Sequence, residues 1–223
     1  MSGHTFYRIH LKDGAGQDPA FWRRVRNPYQ VHKMVWRIFS DGSHKDRDFI
    51  YRLEMQEHTP VIYAVSTADR VDLDGIWRVD AKDYHPALRR GDRLGFNLRA
   101  NPVRTKRDEE GRQHRHDVVM DAKYAMETRD NIEVDLVQQE GFAWLASRGE
   151  RLGFSVEEGA VRVDGYRQHR FRKPRSGRRV TISTIDFTGA LTVTDPDLFK
   201  EALYTGVGPA KSFGCGLLLV RRV

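Results

Sequence analysis

The stretch from Arg93 to the C-terminus constrains the fold more than any other, because its hydrophobic periodicity changes in a fixed order. Arg93-Leu94-Gly95-Phe96-Asn97-Leu98-Arg99-Ala100 alternates with period two, as a half-buried strand does. Leu136 to Leu152 brings Val137, Phe142, Trp144, Leu145 and Leu152 together at helical spacing, with Gly141 weakening the helix slightly and Gly153 placed to end it. Val161 to Tyr166 begins a strand that runs into a basic segment, and Val180 to Phe187 alternates strictly. Ala190 to Thr194 follows what reads as a Thr188-Gly189 turn. Asp195 and Pro196 open a helix that Gly206 closes, and Gly216 to Val220 is a last buried strand. Strand, helix, strand, strand, helix, strand is the order of a ferredoxin-like domain, built from a split pair of βαβ units.

The first half is a less complete version of the same pattern. Phe6 to Leu11 reads as a strand, followed by a loop leading through Arg23, Arg24 and Arg26 into a helix that starts at Asn27. Asp48 to Glu54 and Pro60 to Ser66 read as two strands joined by a short polar turn, with a shorter strand around Trp77 to Val79. The pattern breaks between Tyr84 and Asp92, a candidate linker. The expected class is therefore α+β, as two tandem ferredoxin-like (RRM-like) domains over residues 1–88 and 89–223; a single larger α+β domain is the alternative. Residues 104–117 are almost wholly charged and read as a mobile loop or an exposed hairpin.

Composition narrows the partners. Over 223 residues the formal charge is +7 and the pI about 9.6, which makes a polyanion the first partner to test. Cys215 is the one cysteine and cannot form an internal disulfide, which suits a reducing cytoplasm. Met1 to Thr5 lacks the apolar core of a signal peptide, and no run approaches the length of a membrane span, so a soluble cytoplasmic protein is expected. No Cys and His set has zinc-ligand spacing, and His114 with His116 lacks a third ligand. Asp195 with Asp197 fits a helix start and Asp72 with Asp74 a loop, which leaves metal-dependent nuclease chemistry with little support and no cofactor expected.

The candidate chemistry lies in Asn27 to Ser40. Asn27 suits an N-cap, Pro28 the first helical position, and Gln30 the place from which a capping-box partner reaches back. At 100° per residue Val31, Met34, Val35 and Ile38 share one face. Tyr29, His32, Lys33 and Trp36 lie near another, which puts His32 off the apolar stripe. A lone helical histidine is more often packed or solvated than functional. Here Tyr29 stands three residues before it, Lys33 adds a cation, and the helix N-terminus favours both a neutral imidazole and a bound anion.

Two further segments suit a phosphate backbone. Arg167 to Arg179 carries seven Arg or Lys residues, namely Arg167, Arg170, Arg172, Lys173, Arg175, Arg178 and Arg179, around Pro174 and Ser176-Gly177. It reads as a cationic hairpin suited to a polyphosphate backbone, and against an RNA stem it would recognise shape and phosphates rather than base identity. Gly206-Val207-Gly208-Pro209-Ala210-Lys211-Ser212-Phe213-Gly214-Cys215-Gly216 is not a nucleotide-binding loop, because Ala210 stands where a glycine is required and a strand follows instead of a helix. What remains is a connection whose glycine backbone approaches a phosphate or another chain segment closely.

Taken together, Tyr29-Gln30-Val31-His32, Leu98-Arg99-Ala100-Asn101-Pro102 and Gly206 to Leu218 resemble the CRISPR repeat-processing endoribonuclease of the type I-E Cascade complex, the CasE family. The resemblance spans almost the whole chain. It implies a metal-independent endoribonuclease that cuts CRISPR precursor RNA at the base of each repeat stem-loop, leaving 2′,3′-cyclic phosphate and 5′-hydroxyl ends. It also implies that the protein stays on the product as a subunit of a Cascade-type complex. Carried over, His32 is the principal catalytic residue and Tyr29 assists it. Lys33, the basic hairpin, Gly206, Gly208, Lys211, Ser212, Gly214 and Gly216 are expected to bind RNA, with no membrane and no nucleotide cofactor. The residues alone leave a second reading, a non-catalytic RNA-hairpin-binding subunit, and a third, a general RNA-binding module whose Arg/Lys-Gly-Phe-like signature is missing.

Overall fold

The computed structural model describes residues 3–39, 47–68, 75–125, 134–172, 177 and 179–223. Its first sheet contains β1 (Thr5–Leu11), β2 (Phe49–Gln56), β3 (Thr59–Ser66) and β4 (Trp77–Asp83), with α1 (Pro19–Val25) and α2 (Pro28–Phe39) between β1 and β2. The order across the sheet is β2-β3-β1-β4, with every neighbouring pair antiparallel. Alternation decides which side each residue takes. Phe49, Tyr51 and Leu53 of β2 join the core under α2, whereas Ile50 turns to the opposite side. Val31, Val35, Ile38 and Phe39 of α2 close that core, each removing a large apolar side chain from water for roughly 1.5–3 kcal/mol.

The second sheet repeats the arrangement. Its strands are β5 (Arg93–Ala100), β8 (Phe154–Arg172), β9 (Arg179–Val193) and β10 (Leu218–Arg222), ordered β10-β5-β9-β8. A small hairpin of β6 (Val103–Arg107) and β7 (Gln113–Asp117) precedes α3 (Val118–Ala125) and α4 (Val134–Leu152), and α5 (Pro196–Thr205) lies between β9 and β10. In both halves the strands stand in the order fourth, first, third, second, which makes the chain two ferredoxin-like units in tandem. Between β3 and β4 the first unit shows no helix among the described residues.

Several sequence expectations need correction. Residues 19–25, read as loop, form α1, capped by the Asp18 side chain accepting from the Ala20 N–H at 2.8 Å. The helix α3, which the sequence reading missed, follows the charged segment, and that segment takes the second of its two expected forms, an exposed hairpin. Thr188-Gly189 is not a turn: β9 runs straight through it, and Gly189 is present because a Cβ there would stand 2.1 Å from the Ala160 carbonyl oxygen of β8. That close approach accompanies a register shift between Val156 and Val161, which lets β8 run unbroken from Phe154 rather than from Val161. Gly141, which looked like a flaw in α4, lets the helix sit on Val163, whose Cγ1 would be 2.5 Å from an added Cβ.

The two units meet through Ile50, Val65 and Leu217, flanked by Phe6, Tyr63, Tyr84, Tyr204 and Leu219. An ionic cluster crosses the same boundary. Arg52 and Glu54 of β2 face Arg99 of β5 and Asp186 of β9, and the Arg52 side chain is 4% exposed.

Candidate functional site

The Asn27 side chain accepts from the N–H groups of Tyr29 at 3.0 Å and Gln30 at 3.3 Å, fixing where α2 begins. Gln30 closes no capping box, because the Asn27 N–H already donates to the Arg24 carbonyl at 3.0 Å. With Val31 N–H bonded to the Asn27 carbonyl as well, these first-turn donors are spent within the protein. What the helix end offers an anion is its dipole rather than these N–H groups.

One turn apart on α2, Tyr29 and His32 are half-buried, and Lys33 is exposed. Two rings, Phe213 and Phe171, link them to two other elements. The His32 ring lies 6.0 Å from Phe213 and 5.8 Å from Trp36, Phe213 lies 5.1 Å from Phe171, and Phe171 lies 6.5 Å from Tyr29. Phe213 ends a short 3-10 turn over Lys211–Phe213, and Phe171 sits near the tip of β8. Helix α2, the glycine-rich connection and the basic hairpin thus converge on the Tyr29 and His32 pair.

The connection is fastened from below. Arg47 donates to the Ser212 hydroxyl at 2.8 Å and the Tyr51 hydroxyl to the Ser212 carbonyl at 2.9 Å. Gly214 follows with φ +77°, its Cα so close to the Tyr51 ring that a Cβ would stand 3.4 Å away. Gly206, Gly214 and Gly216 are buried, with Val207 N–H donating to the Gly216 carbonyl at 2.8 Å; Gly208 packs on Trp144. These glycines shape the loop against the protein itself. Lys211 is half-buried, and burial, with Arg47 nearby, pulls its ammonium below the usual lysine range. Burial pushes the Cys215 thiol up to about 12, which keeps it a protonated packing group.

The basic run is a hairpin: Phe171 pairs with Val180 and Arg172 with Arg179 across β8 and β9. A second register shift, between Asp164 and Arg167, resets the side-chain alternation. Beyond it Arg167, His169 and Phe171 share the face toward α2, and Arg170 and Arg172 the other. Arg167, Arg170, Arg172 and Arg179 are exposed; Lys173, Arg175 and Arg178 lie outside the described residues, as do Asp72 and Asp74.

Beneath this face lies a cavity of about 170 Å³ between the units, with Val25, Pro28 and Val31 on one side and Ile182 and Thr184 on the other. Phe213 and Leu53 also line it. Its floor is a two-pronged ion pair: Arg99 Nε to Asp186 Oδ1 at 2.7 Å and Nη2 to Oδ2 at 2.9 Å. His169 Nε2 lies 3.1 Å from the Thr184 hydroxyl. Burial holds the His169 imidazole below the ordinary histidine range, with Arg99 and Arg167 adding to the effect. Arg26 and Arg167 line the cavity and are exposed.

Sequence reasoning did not single out Phe213, Phe171, His169, Asp186 or Arg47. Their roles arise from contacts across 15 to 181 positions, the longest from His32 to Phe213, and the signal within reach was His169 inside the basic run. Among the described residues no three His, Cys, Asp or Glu side chains gather as a metal site, and no helix is long and apolar enough to cross a membrane.

The family model described as "CRISPR associated protein" matches residues 6–222. The chain is 30% identical over 213 residues to the CRISPR-associated endoribonuclease Cse3 of Thermus thermophilus, covering 89% of this chain and 92% of the relative. It is 28% identical over 209 residues to the CRISPR system Cascade subunit CasE of Escherichia coli, covering 86% and 91%. A solved structure of the CRISPR endoribonuclease Cse3 bound to 19 nt RNA superposes with a TM-score of 0.71 at 28% identity, covering 98% of this chain and 99% of the other.

Proposed function

The chain belongs to the CRISPR-associated CasE/Cse3 family, and from that premise we propose that it is the endoribonuclease that cuts CRISPR precursor RNA at the base of the repeat stem-loop. The observation that carries the reading is the convergence of α2, the 3-10 turn and the basic hairpin on Tyr29 and His32. The hairpin's exposed arginines contact stem phosphates and set the register of the RNA. Held there, the RNA's own 2′-hydroxyl attacks the adjacent phosphorus, the 5′-oxygen leaves, and a 2′,3′-cyclic phosphate forms without a metal ion.

Such a reaction needs alignment, proton transfer and positive charge at the phosphate. His32 exchanges a proton with the RNA, at the attacking 2′-oxygen or at the leaving 5′-oxygen. Tyr29 orients the phosphate, with Lys33 and Lys211 supplying charge. Gly206, Gly208, Gly214 and Gly216 serve the RNA indirectly, by letting the loop carry Lys211 and Phe213 to α2. We place the division between the units at residues 88 and 89, within a stretch that carries no strand or helix. The protein acts in the cytoplasm and remains on its product as a subunit of a Cascade-type complex, as the E. coli relative's name indicates for that protein.

The test is cleavage and binding of a repeat hairpin from the source genome by the protein and by His32→Ala. Loss of cleavage in the variant with binding retained within a few-fold supports the reading. Binding without cleavage by the unsubstituted protein overturns it in favour of a non-catalytic RNA-binding subunit.

A further inference from the structure

We propose that the cavity floored by Arg99 and Asp186 takes the unpaired nucleobase of a nucleotide flanking the scissile phosphate. This deepens the function proposed above and rests on it for the identity of the ligand.

Size is the first argument. A cavity of about 150 Å³ accepts a benzene ring, and this one, at about 170 Å³, accepts a six-membered heteroaromatic ring, with a purine's second ring toward the mouth. Its walls are the second. Val31, Leu53, Ile182 and Phe213 present apolar surface, whereas His169 and Asp186 present polar atoms. Both Asp186 oxygens receive Arg99 but keep a lone pair for a donor, and a neutral His169 offers one donor or one acceptor beside Thr184. At the floor a phosphate fits poorly, because the Arg99 guanidinium is already engaged by both Asp186 oxygens, and the other arginines of the lining, Arg26 and Arg167, are exposed. A flat ring bearing both donors and acceptors suits it well.

Position is the third. Phe213 lines the cavity, and the same ring lies 6.0 Å from His32. A base inside therefore belongs to a nucleotide next to the reacting phosphate, with its sugar and phosphates near the exposed Arg26 and Arg167. Holding that base unstacked also turns its ribose away from helical geometry, which is what in-line attack by a 2′-hydroxyl requires.

The experiment uses repeat hairpins with an abasic site on one or the other side of the cut, against the full-length protein and Ile182→Trp, whose indole fills the cavity. Leu53→Trp fills it from the opposite wall and serves if the first variant melts early. The abasic change at one of the two positions is expected to slow wild-type cleavage roughly ten- to hundred-fold, the range for losing one stacked base. The filled variant is expected to slow cleavage of intact RNA by a similar factor and to have no further effect on the abasic RNA. Equal cleavage of both abasic RNAs and intact RNA, or effects that multiply, would overturn the inference. If the unsubstituted protein cuts nothing, the endoribonuclease reading fails separately, and a hairpin carrying 2-aminopurine at each flanking position still decides this one. Emission changed on binding and restored by the filled variant supports the cavity; emission unaffected by the variant refutes it.

Discussion

Asp186→Ala removes the carboxylate that joins the two units, and its cost follows from the charges left behind. Asp186 receives two hydrogen bonds from Arg99 and lies 3.6 Å from Arg52 Nη2. Without it, Arg52 keeps Glu54, at 2.7 Å, as its one carboxylate partner among the described residues and faces the like charge of Arg99. Burial already holds the Arg52 guanidinium below its usual range, with Glu54 and Asp186 acting against that shift, so the lost carboxylate is not easily replaced. Breaking a buried pair costs roughly 3–5 kcal/mol. Because the Asp186 and Arg99 side chains are 31% and 33% exposed, water replaces part of the loss and the lower end, about 3 kcal/mol, applies. For a chain of this length each kcal/mol shifts the melting temperature by roughly 2–4 °C, so the variant should melt about 6–12 °C lower. Asp186→Asn, which keeps an acceptor but not the charge, should lose about half as much. Urea unfolding and a thermal melt read the change, and a loss below about 1 kcal/mol would refute the claim that this cluster holds the units together.

Asn27→Ala removes the α2 cap and should cost about 1 kcal/mol by urea unfolding, with a fall in cleavage larger than that stability loss explains, since the cap fixes the turn carrying Tyr29 and His32. Gly153→Ala would place a Cβ 2.3 Å from the Asp195 carbonyl oxygen at φ +76°, and its stability should fall by several kcal/mol, on the order of an overpacked core position; an unchanged urea midpoint would contradict the packing described. The folded pKa of His169 lies below 6.5, so the unfolded chain binds the proton more readily. The stability linked to His169 is therefore complete above pH 6.5 and is lost as pH falls through that value toward the folded pKa. The gap between the urea midpoints of the protein and of His169→Gln should stay constant above pH 6.5 and shift against the protein as pH falls below that value; parallel curves throughout would show that His169 titrates alike in both states.

The tandem architecture was legible because strands and helices announce themselves by local periodicity. Arg93–Ala100 appeared with both ends correct, and Asp195, Pro196 and Gly206 marked α5 at both termini. What failed was whatever a distant segment decides. Gly189 reads as a turn residue until Ala160 of β8 is seen against it, and Asp18 caps a short helix, α1, whose Phe21 packs against the distant Trp77. For the candidate site, the helix of Tyr29 and His32 and the basic hairpin were visible as motifs. The ring chain through Phe213 and Phe171, and the Asp186 cluster, were not, because no local pattern records which side chains two sheets will bring together.

The central claim is that the RNA's own 2′-hydroxyl is the nucleophile at the Tyr29 and His32 site. A single-turnover assay in EDTA with two repeat hairpins, identical except for one 2′-deoxy nucleotide 5′ to the cut, tests it most directly. The account predicts cleavage of the all-ribose hairpin to a product whose mass carries a 2′,3′-cyclic phosphate, and binding without cleavage of the deoxy hairpin. Cleavage of the deoxy hairpin, or a product ending in a 3′-hydroxyl, would contradict it.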